Sequence, residues 1–449
     1  MGTVNEARNF FAQDTSVQLV QIAVSSHQFS ETIFSISNLG QLYWFCKFLD
    51  DAKAQSAGSK LVLCTGVDAE TITACSLLVG GYLILVDNAR LDDVMASFDS
   101  IASKFEAFRD PLKTMSVGEG LTAADGWRAL HRAKANGWLN FQDEEVDVDT
   151  CIDMHEYQHY DNPLNGYLHV IIPSRLIAFS TPSNLSELSA GGSDVPWLDV
   201  DGRRFFGAEF YADILGGDFG VEVVVGCDQS ESDGGNAWVF EDGSDDEGAG
   251  EGQAAEASSG YDESAFAGRG MAVERLGVSR CDGGLPNGAL LRDVDRFLTL
   301  ARLAPGAIAL HGDDGPGLGS GGELLVSSLL IKRHGFDARS ALAWARMAHP
   351  PVTPRVLAFS LAPMSAPPPV AEGRRHCGGR RVSAPAVLAC PADLASAFGV
   401  DGISAASISS VAEQEQASVA KLFVAAAAAT GRRALILPDL AFGVLAGRV

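Results

Sequence analysis

The residues best placed to do chemistry lie close together, between Pro305 and Pro350. Ala307 to Leu310 is an apolar run of the length of a buried strand. It passes into HGDDGPGLGS, His311 to Ser320, and then into a helical pattern carried by Leu324, Leu325, Ser328, Leu329 and Ile331. A strand, a glycine-rich loop and a helix in this order offer backbone N–H groups and a helix N-terminus to an anion. The side chains narrow the options. No Lys stands between His311 and Gly322, so this is not a Walker-type nucleotide loop. Gly315, Gly317 and Gly319 lack the order and spacing of a dinucleotide fingerprint. Asp313 and Asp314, with Asp282 upstream, are carboxylates without further ligands, which reads as solvated charge; no metal and no cofactor is expected.

With its flanks, the loop resembles the signature H-C-x-x-G-x-G-R-T-G of the cysteine-dependent protein phosphatases, most closely the mitotic-exit dual-specificity phosphatases of the cell-division-cycle-fourteen family. His311, Gly315 and Gly317 stand at the family's His and two Gly, whereas Gly312 occupies the Cys position and Leu318 the Arg position. Upstream, CDGGLPNGALLRDVDRFL (Cys281 to Leu298) is similar to the family's general-acid loop and puts Asp282 in the acid position. The likeness continues through SNLGQLYWFCKFL (Ser37 to Leu49), Phe108 to Asp110, NGWLNF (Asn136 to Phe141), EYQHYDNPLNG (Glu156 to Gly166), IIPSRLIAFSTPSN (Ile171 to Asn184) and KRHGFDARSALAWA (Lys332 to Ala345). It covers most of the chain from about Phe34 to about Pro350, with one gap.

The resemblance implies a fold and a site. The fold is α/β, with two tandem cysteine-phosphatase-like domains at 15–150 and 165–350, the first without catalytic residues, followed by a low-complexity tail at 351–449. In such a site the Cys attacks phosphorus as a thiolate, the Arg clamps the equatorial oxygens and the Asp protonates the leaving oxygen. Of the three, only Asp282 is in place here. Carboxylates after the linker form an acidic groove in the family, which reads a basic residue downstream of phosphoserine-proline. Asp161 keeps one carboxylate, and Gln158 replaces the other. A working groove and a plain solvated face both fit that pattern.

Two functional readings follow: a pseudophosphatase that acts by binding proteins, and an active protein tyrosine or serine phosphatase in cell-cycle or cilium control. By resemblance, partners are proteins, including phosphoproteins or basic Ser-Pro segments, and the locations are cytoplasm and nucleus with centrosome, spindle or ciliary base. Two other cysteines look like nucleophiles at first sight. Cys64 ends the strand KLVLCTG but has no preceding His and no Arg in register, so it reads as an inert buried thiol. The run HCGGRRV (His376 to Val382) places Ser383 where the C-x5-R spacing needs Arg.

The elements that hold these residues follow from pattern. At 449 residues and 47% hydrophobic content, the chain can bury about two to three domain cores. Its formal charge of −24 excludes non-specific nucleic-acid binding, and no apolar stretch is long enough to suit a bilayer. Strands are expected at Val17 to Val24, Lys60 to Gly66 and Gly220 to Gly226. Helices are expected with Leu42, Phe45, Phe48 and Leu49 on one face, around Ala74 to Leu85, at Thr122 to Asn140, and after Asp337 as N-cap. Asp228 to Gly260 reads as a disordered acidic insert within the second domain. The proline-rich stretch after Pro350 reads as an extended linker, and Glu413 to Ala429 as an alanine-rich helix.

Overall fold

The computed structural model describes residues 16–24, 34–56, 58–110, 120–142, 147–188, 195–200, 203–227, 261–278, 288–312, 317–351, 357–362 and 440–442, with Ala7 and Phe11. The insert at 228–260, the run at His376 to Val382 and the helix expected at Glu413 to Ala429 lie outside the described residues. The chain is mixed α/β, as its strand and helix patterns require. Contacts divide it into two units, one of Met1–His27, Lys47–Cys75 and Val356–Val449, the other of Gln28–Cys46 and Ser76–Arg355.

The first unit holds a four-stranded sheet in the order β10-β1-β2-β11, with β1 at Val17–Val24, β2 at Lys60–Cys64, β10 at Leu357–Ala362 and β11 at Leu440–Phe442. β1 and β11 both run parallel to β2, while β10 pairs antiparallel to β1 from Leu19 opposite Ala362 to Val24 opposite Leu357. The stretch expected as an extended linker after Pro350 therefore contributes a strand. Its signal is the alternation of Leu357, Phe359 and Leu361 with smaller residues, which the flanking prolines obscure. Val17, Leu19, Val62 and Cys64 share a small core with Ala7, and the Cys64 thiol is buried.

Helix α1 (Leu39–Gln55) buries Leu42, Phe45 and Leu49, three of the four residues expected on one face. Helix α2 (Ala69–Leu85) is buried at every residue from Thr71 to Leu85, as an apolar helix packed on all sides must be.

The second unit is built on a five-stranded sheet in the order β3-β4-β9-β7-β8, formed by Leu168–Ile172, Leu176–Phe179, Ala307–His311, Val221–Cys227 and Ala272–Leu276 for β3, β4, β9, β7 and β8. β9 lies at its centre, parallel to β4 and β7, and β3 closes one edge antiparallel to β4. A strand paired on both sides and covered on both faces has no solvated side, which is why Ala307 to Leu310 is continuously apolar. Leu168, Ile177, Phe179, Val224, Ala307 and Ala309 pack with Tyr211, Ala212 and Leu215 of helix α6 (Ala208–Gly217) and with Phe206, Tyr261 and Phe266. A separate hairpin pairs β5 (Trp197–Val200) with β6 (Arg203–Phe206).

The longer of the remaining helices among the described residues are α3 (Leu91–Phe98), α4 (Ala123–Ala135), α5 (Met154–Tyr160), α7 (Gly288–Leu303), α8 (Gly319–His334) and α9 (Ala338–Ala348). Their ends follow local chemistry. Thr122 forms a capping box with Asp125 at the start of α4, and Asp337 accepts from Arg339 N and Ser340 N at the start of α9, as its position after Gly335-Phe336 predicts. Arg339 then reaches from α9 to the buried Asp125 carboxylate of α4 at 2.9 Å and so ties the two helices together. One helix departs from its pattern. α8 buries Gly322, Leu325, Val326, Leu329 and Leu330, a stripe at i, i+3, i+4, i+7 and i+8, and leaves Ile331 exposed. The apolar residues chosen from spacing alone straddled the edge of that stripe.

Candidate functional site

β9 delivers His311 and Gly312 to the centre of the sheet's C-terminal edge, the place where parallel α/β sheets commonly bind ligands. His311 is fully buried. Its Nδ1 lies 2.7 Å from the Gly312 carbonyl oxygen, which can only accept, so Nδ1 carries the hydrogen. Nε2 then accepts from the Tyr261 hydroxyl at 2.7 Å. Both ring nitrogens are thereby assigned in the neutral form. Burial pushes the imidazole down to about 4, the Gly312 carbonyl opposes this, and the Arg275 guanidinium adds to it. Arg275 itself lies over the Tyr261 ring and donates to Glu263 at 2.6 Å.

The Gly312 carbonyl also accepts from Thr181 Oγ1 at 2.8 Å, so it is held from two sides. A Cβ at position 312 would meet Gly317 O at 2.7 Å and the Leu318 carbonyl carbon and oxygen at 2.8 and 2.9 Å. These are backbone atoms. Leu318 sits at the N-cap of α8 with φ −71° and ψ −13°, makes no side-chain cap and buries its side chain. Asp313, Asp314 and Gly315, with Asp282 in the general-acid position, lie outside the described residues.

Behind the loop stands a cluster of buried charge. Arg346 of α9 donates from Nε and Nη2 to the two oxygens of Glu323 in the first turns of α8, at 2.8 and 2.7 Å, and Nη2 lies 2.8 Å from Asp110 Oδ1. All three are buried at the side chain. Burial drives the Glu323 carboxyl up, against the pull of Arg346, while the two carboxylates hold the Arg346 guanidinium charged. Sequence reasoning passed over Arg346, whose signal is a lone charge within the apolar run ALAWARMA.

Asp161, the residue placed in the acidic groove by resemblance, caps the C-terminal end of α5 and is partly exposed. Its oxygens accept from Asn38 Nδ2 at 3.0 and 3.3 Å, and Oδ1 lies 3.2 Å from His169 Nε2. Gln158, one turn earlier, has a buried Nε2 without a hydrogen-bond partner. The structure thus brings His311, Gly312, Gly317 and Leu318 together at one strand end. It places Asp161 in a separate network with Asn38 and His169. A small recess, with a volume of about 10 Å³, is lined by Ser35, Phe108, Arg109, Arg346, Pro350 and Pro351 among others. Among the described residues no group of three or more His, Cys, Asp or Glu is placed to hold a metal ion, and no helix is long and apolar enough to cross a membrane.

The profile of the family described as dual specificity protein phosphatase, N-terminal half, matches residues 22–133. The chain is 24% identical over 323 residues to the dual specificity protein phosphatase CDC14AB of Danio rerio, covering 71% of this chain and 43% of that protein. To the human dual specificity protein phosphatase CDC14C it is 25% identical over 325 residues, covering 72% and 59%. To the tyrosine-protein phosphatase cdc-14 of Caenorhabditis elegans it is 23% identical over 277 residues, covering 61% and 30%. The chain spans about half the length of the curated relatives it matches. These likenesses set it beside the dual-specificity protein phosphatases. The relatives that carry the likeness across most of the chain are CDC14 proteins, and it is the CDC14 family that the chain resembles.

Proposed function

We propose that this chain is a pseudophosphatase, a CDC14-like protein that has left phosphoryl transfer and acts by binding other proteins. The observation that carries the reading is the position of Gly312. A thiolate nucleophile needs a Cβ there, and a Cβ would stand 2.7 to 2.9 Å from the backbone of Gly317 and Leu318. The second support is Leu318, which puts a buried aliphatic side chain where a guanidinium would make bidentate bonds to the transferring phosphoryl group. Asp313 and Asp314 add like charge beside any phosphate dianion. The partners suited to a chain of net charge −24 are proteins with basic segments, including Ser-Pro segments met by Asp161, in cytoplasm, nucleus or at the centrosome, spindle or ciliary base.

Purified protein is expected to hydrolyse neither aryl phosphates nor phosphopeptides above the rate of a heat-inactivated control, and to bind tungstate only weakly. Turnover, or tungstate binding in the micromolar range, overturns the reading. The competing reading, an active cell-cycle phosphatase, is favoured by the activity for which the relatives are named and requires a Cys at 312 and an Arg at 318. Resequencing the transcript across Ala307 to Leu324 separates the two.

A further inference from the structure

The buried polar network beside α9 joins two histidines through like atoms. His169 of β3 and His349, the C-cap of α9, face each other with Nδ1 to Nδ1 at 2.8 Å, and both are buried. Two imidazole nitrogens at this distance share one hydrogen; two hydrogens between them repel. Asp161 settles the arrangement. A carboxylate oxygen only accepts, so His169 Nε2 carries a hydrogen toward Asp161 Oδ1, and neutral His169 must accept at Nδ1. His349 Nδ1 is therefore the donor. The chain of bonds runs from Asn38 through Asp161 and His169 to His349, and it links the start of α1, the end of α5, the edge strand β3 and the end of α9.

We propose that the Asp161–His169–His349 relay is a proton-sensitive latch that fastens the end of α9, with Pro350 and Pro351, to β3, and that it opens when both histidines are protonated. The proton count makes the response steep. A first proton leaves the latch closed, because an imidazolium at His349 still donates from Nδ1 to neutral His169 and its charge is balanced through His169 by Asp161. A second proton puts hydrogens on both Nδ1 atoms and turns the bond into repulsion. Burial disfavours charge on the closed pair, whereas water solvates both rings once the latch opens, so opening is coupled to the uptake of both protons.

The groups facing the pair fit this behaviour. Asp161 and Tyr157 of α5 and Tyr167 ahead of β3 pack against the rings, at 4.6 Å from Tyr157 to His169 and 5.0 and 5.2 Å from Tyr167 to His169 and His349. Burial raises both phenols, which stay neutral throughout the histidine range. Burial also pulls His169 below its ordinary value, against Asp161. The released segment touches the loop: Tyr167 donates to Pro350 O at 2.7 Å, and Pro351 stands against Gly317. Opening the latch thus loosens the far wall of the glycine-rich loop.

The test is hydrogen exchange of the whole chain as pH falls from about 7.5 to about 5, with rates corrected for intrinsic exchange. Peptides covering Ala345 to Pro351 and Leu168 to Ile172 are expected to gain exchange roughly tenfold with a Hill slope near two, while α4 stays protected. His169→Asn and His349→Asn should each remove the pH response. Glu156, on the same helix as Asp161, is pushed to about 7 by burial and by Asp153 and Asp218, so Glu156→Gln is the control and should retain the response. A nitrogen-15 NMR coupling across the shared hydrogen, present at about pH 7.5 and lost at about pH 5, reads the same bond directly. Unchanged exchange in the intact fold, the same response in His349→Asn, or no coupling at the higher pH overturns the latch.

Discussion

Twice the chain runs a buried strand through a short turn into a helix, and the two junctions close in different ways. Between β2 and α2 the turn is Thr65-Gly66-Val67-Asp68. Asp68 Oδ1 accepts from Thr71 N at 2.7 Å as an N-cap, and Thr65 Oγ1 donates to Gly66 O at 2.7 Å. A Cβ on Gly66 would meet Asp68 Oδ2 at 2.9 Å, the movable end of a side chain. At the start of α8 Leu318 makes no side-chain cap, and the three described atoms nearest a Cβ on Gly312 are all backbone. One junction is closed by side chains and the other by the main chain. The same strand and helix geometry serves both, so what a junction can do is decided by the few side chains in the turn, and the later turn has none directed at a phosphate among its described residues.

The largest test of the comparison concerns what braces the later junction. Replacing Arg346 with Met leaves the Glu323 and Asp110 carboxylates buried without their cation and should cost about 3–5 kcal/mol in urea unfolding. A loss under about 1 kcal/mol would mean that α8 is held by its apolar stripe alone.

The next effect is set by proton uptake at His311. Its folded value of about 4 lies below the unfolded 6.5, so the unfolded chain binds more protons in between. The stabilising contribution is complete above the unfolded value and is lost as pH falls through 6.5 towards 4, on the order of 3 kcal/mol in all. Glu156 acts with the opposite sign, since its raised folded value favours the folded state only at lower pH. The readout is therefore the difference in unfolding free energy between the chain and His311→Asn across that window, and a difference that does not change with pH contradicts the assignment of the ring.

Smaller still is the pair of alanine substitutions at the two turns. Gly312→Ala should cost about 1–3 kcal/mol, because backbone must move, whereas Gly66→Ala should cost less than about 1 kcal/mol. Equal costs in thermal unfolding would erase the distinction between the junctions. Gly312→Cys with Leu318→Arg inherits the same clash, so it should destabilise before it restores any chemistry.

What was legible in the sequence was local. The cap at Asp337, the strands β2, β7 and β9 and the all-buried α2 follow from neighbours within a few residues, where spacing and hydrogen-bond chemistry decide. The partners of the site residues were not legible. Tyr261 lies 50 residues from His311, and His169 lies 180 from His349; one sequence carries no mark of such pairings. At Asp161 the motif match supplies only the carboxylate, and the geometry adds its partners, with Asn38 and His169 bonded to its oxygens. Leu318 is a similar case. Its identity in the motif position was plain, but its burial against the start of α8 depends on packing that spacing does not encode.

The smallest effect sharpens the comparison most, because it isolates one atom. Asp68→Ala removes the cap on Thr71 N and should cost about 1 kcal/mol, while Asp68→Asn keeps an acceptor oxygen and should cost a few tenths. The atom that a Cβ on Gly66 would strike is the other oxygen of the same carboxylate. In the Asp68→Ala background that obstacle is gone, so Gly66→Ala should become cheaper by roughly 0.5 kcal/mol, a coupling that a double-mutant cycle in urea can resolve. At Gly312 the nearest obstructing atoms are the main chain of Gly317 and Leu318, which no side-chain truncation removes. If the cycle shows additivity at Gly66, its turn is as rigid as the later one, and the contrast between side-chain closure and main-chain closure fails at its simplest point.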